Sequence, residues 1–389
     1  MKQKLSAMNY IKNNKRRSSV LIVSLALCFV LIYLTNFLLS STEETFRVIT
    51  VENTKKIQYV NLAGSSLGID VENIEDEELE NQYREKNLEL VEKLKKYDEI
   101  ENVYYSQILY IEVWAVIGSW YVEMPLVEAE KVSEILEHFG TKVCEGRMPE
   151  NAGEIVLDRA SMKNGGYRLN DYFRSEDYDT AFKIVGILDS DTYFGCGIPS
   201  EEEEMFNMIT ILSDGSIDDV SKLLKKEGIE VRKGYDEIVD VKNGKKSLQK
   251  DVIDVISTST NIIYICIIVL ISLSLFIVYA MYLRDRHNEW CLYSSIGYSR
   301  KEIYSLVMRE LGITFFISFA IGVVLTAISV VVIDFVMIEA QGMKCRYFYP
   351  STVGEILSAY ILLIGALQIP IRYALNRIKT VDAMDDDLY

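Results

Sequence analysis

Four long apolar runs dominate the hydrophobic pattern of this chain. Each is 20 to 26 residues long and nearly free of charged side chains. They occupy residues 20–40, 262–283, 313–338 and 356–375. A bilayer core about 30 Å thick is crossed by roughly 20 helical residues, and a chain inside lipid must satisfy its own backbone hydrogen bonds. The pattern therefore predicts four transmembrane helices, one before a long polar stretch and three after it.

The apolar runs divide the chain into segments of very different size. The polar stretch between the first two runs is about 220 residues long, whereas the next two polar stretches are under 30 residues. The longer one is sufficient for an ordinary folded domain. The predicted segments are a basic amphipathic helix (1–19), a transmembrane helix (20–40), an extracytoplasmic domain (41–258), a transmembrane helix (259–283), a cytoplasmic loop (284–310), a transmembrane helix (311–338), a short outer loop (339–355), a transmembrane helix (356–375) and a cytoplasmic tail (376–389).

Basic residues indicate the orientation of these segments. The first 19 residues hold six Lys and Arg and no acid, and residues 284–309 hold five basic residues. The positive-inside rule places both in the cytoplasm, and the parity of the crossings then puts 41–258 and 339–355 outside. The first run is longer than the apolar core of about 7–15 residues in a signal peptide. It is followed by no clear cleavage site, which favours a retained anchor.

Charge excludes one class of partner and indicates another. Residues 41–258 hold 25 basic and 46 acidic residues, a net charge of −21 (25 − 46). Nothing there offers phosphates a basic face, so a nucleic-acid partner is not expected. The basic first segment is expected to lie on anionic membrane lipids. Asp334, close to the outer end of the third run, is expected to reach the surface or another subunit.

Within residues 41–258 the pattern alternates between strand and helix. Strands are predicted at 57–63, 102–117, 208–212 and 229–231, short strands with Gly-rich turns between 144 and 189, and helices at 82–97, 126–139, 217–226 and 242–257. Two strand–helix–strand units around a β-rich insert predict an α+β domain with two lobes. The chain has 25 tyrosines, many of them in this domain, and they fit a binding face and sheet packing equally well.

The chain shows no motif for catalysis, for a metal or for a nucleotide. Residues 243–247 read NGKKS, but the upstream glycine of a phosphate-binding loop is missing. His138 and His287 are the two histidines, and the predicted topology separates them by the membrane. Cys144 and Cys196 allow an outer disulfide, although unpaired thiols explain them equally well, and no C-x-x-C pair occurs. We therefore predict a non-enzymatic chain without cofactor or metal.

Motifs in the outer stretch resemble the outer core domain of the MacB-type permeases. The sequence reads CEGRMPE at 144–150, GEIVL at 153–157, LND at 169–171 and FKIVGIL at 182–188. In that family a GR-x-P turn, a GE-I-V-L strand, a G-D turn and a V-V-G-I strand follow in this order. Asn170 replaces the usual glycine, and asparagine tolerates the left-handed conformation. The matching residues are Gly146, Arg147, Pro149, Gly153, Glu154, Asp171 and Gly186.

Residues 284–310 resemble the cytoplasmic signature of the FtsX-like permeases, R-x-x-E-x-x-x-L-x-x-x-G-x-s-x-x-x-I with an acid before the next span. Ser299 and Glu302 have the spacing of a capping box. In the family this segment couples the membrane helices to an ATPase, whereas the residues alone fit an interfacial anchor helix equally well. The residues assigned to coupling by the resemblance are Glu289, Gly297, Ser299, Ile303, Leu306, Val307 and Glu310.

Together with the one-plus-three arrangement, the resemblance implies the membrane subunit of an ABC transporter of the MacB/FtsX type in a bacterial plasma membrane. Residues 259–380 would form its FtsX-like permease domain. The expected partners are an ABC ATPase of the MacB, LolD or FtsE kind, which binds the ATP, and a second permease copy or paralogue. The family transmits mechanical work, and a peptide, an antibiotic or a lipoprotein would fit as cargo. The alternatives are an FtsX-like regulator of a cell-wall hydrolase and a membrane-anchored sensor.

Overall fold

The computed structural model describes residues 7–71, 75–175, 180–200 and 207–376. It divides into two compact units. The sheet unit consists of Leu39–Ser257 and Asp334–Cys345, and the helical unit takes its residues from Met1–Leu38, Thr258–Ile333 and Arg346–Tyr389. Of the predicted segments, the beginning of 1–19 and nearly all of the tail at 376–389 lie outside the described residues.

Helices occur in both units. Within the described ranges they are α1 (Ala7–Asn13), α2 (Lys15–Arg47), α3 (Gly64–Leu67), α4 (Asp76–Leu94), α5 (Ala129–Phe139), α6 (Arg159–Gly165), α7 (Val220–Lys226), α8 (Val241–Ser247), α9 (Asp254–Asp285), α10 (His287–Ser295), α11 (Arg300–Ile333) and α12 (Pro350–Asn376). Three π-helical turns continue or precede long helices, at Val48–Glu52, Leu248–Ile253 and Asp334–Ile338. A short 3-10 turn follows the first of them at Asn53–Lys55.

Two helices are long and apolar enough to cross a membrane by length and composition, among the residues described. They span Ser18–Lys55 and Arg300–Ile338, and they contain the first and third predicted spans. The second and fourth predicted spans lie within α9 and α12 and are helical throughout. That α9 and α12 cross a bilayer stays a prediction.

The sheet unit is built on one continuous sheet. Its described strands are β1 (Ile57–Asn61), β2 (Ile100–Trp114), β3 (Ser119–Leu126), β4 (Val143–Gly146), β5 (Glu154–Asp158), β6 (Tyr172–Arg174), β7 (Ala181–Leu188), β8 (Gly195–Gly197), β9 (Asn207–Ser213) and β10 (Glu237–Val239). The order is β10-β1-β9-β2-β3-β8-β5-β7-β4, with β6 paired to β7. The pairs β3–β8 and β5–β7 are parallel and the others are antiparallel. A largely antiparallel sheet combined with helices is the predicted α+β class.

The apolar spacing of α5 shows why the local sequence folds in this way. Its buried residues Val132, Ile135, Leu136 and Phe139 recur at helical spacing and form one stripe. The helix ends at Gly140, which takes the left-handed conformation with a φ of 65°. The stripe joins the main core cluster beside the sheet, so α5 covers the strands that carry the outer-domain motif.

Several predicted boundaries differ from the structure. Strand β3 and helix α6 were not predicted, and the helix predicted at 126–139 begins only at Ala129 because Leu126 completes β3. Residues 229–231 are not a strand, and β10 pairs with β1 instead. The two predicted lobes share one uninterrupted sheet, since β2 and β9 pair in its middle.

Candidate functional site

A glycine turn and a helix cap form the corner between α10 and α11. Gly297 has a φ of 95°, a conformation that residues with a Cβ rarely adopt. Ser299 donates to the Glu302 carboxylate through its backbone N–H at 2.6 Å and through Oγ at 2.8 Å. The Glu302 N–H donates back to Ser299 Oγ at 3.3 Å. The predicted capping box is therefore present, and it fixes the start of α11 directly after the turn.

The face of α11 that carries the predicted coupling residues is buried within the helical unit. Ile303 and Val307 are fully buried, Leu306 is 3% exposed and Glu310 is 4% exposed. Helices α1, α10 and α12 all pack against α11. A partner protein cannot touch these four side chains while the helices covering them are folded. They pack α11 against its neighbours within the helical unit, and their assignment to coupling stays a prediction.

Glu310 belongs to a buried ion pair that sequence reasoning missed. Arg286, in the turn between α9 and α10, is completely buried. It donates to the Glu310 carboxylate through both terminal nitrogens, with Nη2 and Oε1 3.4 Å apart. Its Nε donates to Oε2 of Glu289 at 3.2 Å. The Arg286 guanidinium therefore binds two carboxylates, that of Glu310 and that of the motif glutamate Glu289. The three-residue spacing to Glu289 is visible in the sequence, whereas the pairing with Glu310 needs the fold.

The accessible part of the corner is apolar with a basic edge. Leu292 is 55% exposed and Ile296 is 69% exposed. Arg300 and Lys301, in the first turn of α11, are also exposed. We call Leu292, Ile296, Gly297, Arg300 and Lys301 the corner surface. Apolar side chains ringed by charge are the usual composition of a protein-docking surface.

The motif residues of the sheet unit form a clamp around Glu154. Arg147 pairs with the Glu154 carboxylate, with Nη1 and Oε2 2.7 Å apart. The backbone N–H groups of Glu150 and Asn151 donate to the same carboxylate at 2.9 and 3.1 Å. The Arg147 guanidinium and these hydrogen bonds lower the pKa of Glu154 to about 2. Pro149 is buried inside the turn that the clamp closes.

Glycines allow this turn to approach β7 closely. A Cβ at Gly146 would lie 2.3 Å from the Val185 carbonyl oxygen, and one at Gly186 would lie 2.4 Å from the Arg147 carbonyl oxygen. Gly146 also has a φ of 81°. Any larger side chain at either position would separate the turn from the strand.

The second turn of the motif is closed by backbone hydrogen bonds to β7. Asn170 has a φ of 71°, as its substitution for glycine predicts, and its N–H donates to the Ile184 carbonyl at 2.8 Å. The Asp171 carboxylate accepts from the Arg168 N–H at 2.8 Å. Gly153 accepts from a β7 amide at 2.8 Å through its carbonyl. The matched motif residues therefore brace the β5–β7 pair.

Residues 339–345, which we call the strap, are fastened to the rest of the sheet unit. Tyr193 Oη donates to the Gly342 carbonyl at 2.6 Å. Ser41 Oγ donates to the Lys344 carbonyl at 2.6 Å, and Asn164 Nδ2 donates to the Gln341 carbonyl at 3.0 Å. The strap is the first part of the predicted outer loop, which ends early because α12 begins at Pro350. It directly follows the π-helical turn that extends α11, so the chain connects the C-terminal end of α11 to this hydrogen-bonded segment.

Asp334 and the cysteines have local explanations. The Asp334 carboxylate accepts from the Cys345 thiol at 3.1 Å, while the expected contact of Asp334 with the surface or another subunit stays a prediction. Burial and the Asp334 carboxylate raise the pKa of Cys345 to about 12. Cys196 is buried and Cys144 is exposed, and both are free thiols. Of the two interpretations of this pair, unpaired thiols describe the structure.

The helical part of the chain matches a known family. The family described as "FtsX-like permease C-terminal" matches residues 261–379, which include α10, the corner and α11. A search of the curated proteins gives no match. The matched residues therefore resemble the FtsX-like permeases, and most of the sheet unit precedes them in the chain. The chain carries an FtsX-like permease C-terminal domain, and the resemblance to this family drawn from the sequence is confirmed.

Three solved structures are similar to parts of the chain. The periplasmic region of MacB from Actinobacillus actinomycetemcomitans is 13% identical, covering 53% of this chain and 97% of that one, with a TM-score of 0.27. The extracellular domain of the noncanonic ABC-type transporter YknZ from Gram-positive bacteria is 10% identical, covering 47% and 100%, with a TM-score of 0.25. A domain of a putative permease from Porphyromonas gingivalis is 10% identical, covering 49% and 89%, with a TM-score of 0.22. The α+β character of the sheet unit rests on its own strand pairing.

Proposed function

We propose that the chain is the membrane subunit of an ABC transporter of the MacB/FtsX type and is not itself an enzyme. Helices α2, α9, α11 and α12 cross the plasma membrane of a bacterium, with both termini in the cytoplasm and the sheet unit outside. ATP is bound and hydrolysed by a separate ATPase subunit. A second permease copy or paralogue completes the complex. The match of residues 261–379 to the FtsX-like permeases supports this assignment.

The observation that carries the coupling proposal is the placement of the corner surface at the start of α11. The helix runs from Arg300 to Ile333 without a break, and the π-helical turn continues it to Ile338. An ATPase docked on the exposed Leu292 and Ile296 would transmit its own movement to the capped N-terminal end of α11. Because α11 and its π-helical turn lead into the strap, the same movement reaches the sheet unit through the hydrogen bonds of the strap to Ser41 and Tyr193.

The buried residues of α11 have a supporting part in this proposal. The Arg286–Glu310 pair joins the α9–α10 turn to α11, so a push on α10 moves α11 as well. Ile303 and Val307 keep α11 packed against its neighbours. Coupling thus needs two sets of residues: the corner surface to receive the movement and the buried set to transmit it. The proposed cargo of the sheet unit is a peptide, an antibiotic or a lipoprotein.

Affinity purification of the full chain from its native membranes tests the proposal. We expect an ABC ATPase to copurify with the wild type, and its recovery to fall about tenfold for Ile296→Glu, which places a charge in the centre of the corner surface. Leu88→Glu is the matched control, since Leu88 is 45% exposed on α4 of the sheet unit. Recovery of a cell-wall hydrolase as the main partner would favour the hydrolase-regulator alternative. Equal recovery of the ATPase with both variants would overturn the docking site.

A further inference from the structure

The sheet unit contains a large cleft that no motif predicted. Its volume is about 740 Å³, within the range of roughly 300–1,000 Å³ typical of sites for small molecules. Strands β3 and β10 form two of its walls, and α8 and the helical turns after α2 close it. We call this space the acidic cleft, after its lining residues Glu123 and Glu237.

The charge of the cleft is unbalanced. Its lining includes the carboxylates of Glu123 and Glu237 and no Lys, Arg or His. Within the part of the chain that the structure describes, neither carboxylate forms an ion pair. Burial, together with the nearby Glu237 carboxylate, raises the pKa of Glu123 to about 7, and burial also raises the pKa of Glu237. Glu123 is half-buried and Glu237 is exposed, so a bound cation would relieve the repulsion between the two carboxylates and the cost of partly removing Glu123 from water.

Aromatic rings give the cleft a second preference for cations. Tyr110, Trp120 and Tyr121 line it beside the carboxylates. The face of an aromatic ring attracts ammonium and guanidinium groups within about 6 Å, most strongly for tryptophan. Ile49 and Ile238 add an apolar part to the wall. The lining therefore fits a ligand that carries positive charge on an apolar body.

We propose that the acidic cleft binds an organic cation, a molecule or short peptide segment with amine or guanidinium groups on an aliphatic body. Glu123 and Glu237 would pair with its charges, and Tyr121 and Trp120 would cover them. Calcium fits less well, because it takes about six to eight oxygen ligands, and no group of three or more potential ligating side chains was found among the described residues. The inference adds a ligand class to the proposed function but does not depend on an ATPase, so the two can fail separately.

Calorimetric titration of the full chain in lipid nanodiscs with spermidine tests the proposal. Spermidine carries amines on an aliphatic chain, and 1,8-octanediol serves as the uncharged probe of similar length. The titration is run at 150 mM salt, because screening weakens unspecific attraction to the acidic surface. We expect saturable binding of spermidine at one site and no binding of the diol.

Variants distinguish binding in the acidic cleft from unspecific attraction to the negative charge of the sheet unit. Glu123→Gln and Glu237→Gln should each weaken spermidine binding at least tenfold, and Tyr121→Leu should weaken it about threefold. Glu145→Gln removes one charge from an exposed position on β4 and should leave binding unchanged. Tyr121 is 47% exposed, so its variant keeps the test decisive if a carboxylate variant fails to fold. Absence of saturable binding, equal weakening by Glu145→Gln, or binding of calcium with the same variant dependence and no spermidine binding would overturn the proposal.

Discussion

The Arg286 guanidinium and the Glu310 carboxylate form an ion pair sealed inside the helical unit, with Nη2 and Oε1 3.4 Å apart. Arg286 lies between α9 and α10, and Glu310 lies in α11. The pair therefore joins the helices on both sides of the corner surface. In the resemblance to the FtsX-like permeases, Glu310 is the acid before the next span, and its structural partner now gives that acid a physical role.

Removing one member of this pair should destabilise the helical unit. Arg286→Met leaves the Glu310 carboxylate buried without a cation, which costs about 3–5 kcal/mol. The double variant Arg286→Met/Glu310→Leu removes both charges and should recover most of that loss, because the desolvation cost disappears with them. Thermal unfolding of the detergent-solubilised chain measures the effect. Arg284→Met, at an exposed position two residues away, is the control, and a double variant no more stable than the single one would contradict this account.

The clamp around Glu154 should stabilise the sheet unit only when Glu154 is ionised. Its pKa is lowered from 4.5 to about 2 in the folded chain, so the stabilisation is complete above pH 4.5 and is lost as the pH falls towards 2. Glu154→Gln should therefore destabilise the unit by roughly 2 kcal/mol at pH 7, because its hydrogen bonds no longer involve a charged acceptor.

Hydrogen exchange of the 147–158 amides and near-ultraviolet circular dichroism check this prediction. The difference between the wild type and Glu154→Gln should shrink when thermal unfolding is repeated at decreasing pH below 4.5. Glu145→Gln should show no difference at any pH. A gap between the wild type and Glu154→Gln that stays constant down to pH 2 would show that the charge of Glu154 is not what holds the turn.

Adding one methyl group to the strap should release it. A Cβ at Gly342 would lie 2.5 Å from the Ala160 carbonyl oxygen, and Gly342 has a left-handed φ of 63°, so Gly342→Ala cannot keep the present packing. Cys345 reports the release, because its raised pKa of about 12 keeps the thiol protonated and slow to react at pH 8. We expect maleimide modification of Cys345 to accelerate at least fivefold in Gly342→Ala.

Peptide mapping by mass spectrometry measures the modification of Cys345 separately from the other thiols. Gly354→Ala in α12 is the matched control, since no atom lies near the added Cβ. If the strap transmits movement as proposed, Gly342→Ala should still copurify with the ATPase, but the movement should no longer reach the sheet unit. Unchanged Cys345 reactivity would mean that the strap is not held by this contact.

How much of the structure the sequence reveals depends on the range of the interactions. The capping box at Ser299 and Glu302 and the left-handed Asn170 are set within three residues, and both were predictable. The helical face of Ile303 and Val307 was also predictable from spacing. Whether that face meets lipid, a partner or the chain itself was not, because helical spacing gives the side of a helix but not its neighbour.

The features that sequence reasoning missed all join residues far apart in the chain. Arg286 finds Glu310 24 residues away, and Tyr193 reaches Gly342 across 149 residues. Glu123 and Glu237 line the same acidic cleft only because the fold brings β3, β10 and α8 together around it. A single acid in a strand pattern gives no signal of such a site. The tyrosines of residues 41–258, which are part of the 25 in the chain, were the sequence feature that indicated a binding face.

In the proposed topology the sheet unit lies outside the cell and the corner surface lies inside, where an ATPase can reach it. Labelling with a membrane-impermeant maleimide tests this directly, since Cys144 is an exposed native thiol of the sheet unit. Lys301→Cys in a Cys144→Ser background supplies the second position. We expect Cys144 of the wild type to be labelled in intact cells, and Lys301→Cys to be labelled only after permeabilisation. Protection of Cys144, or labelling of Lys301→Cys without permeabilisation, would contradict it.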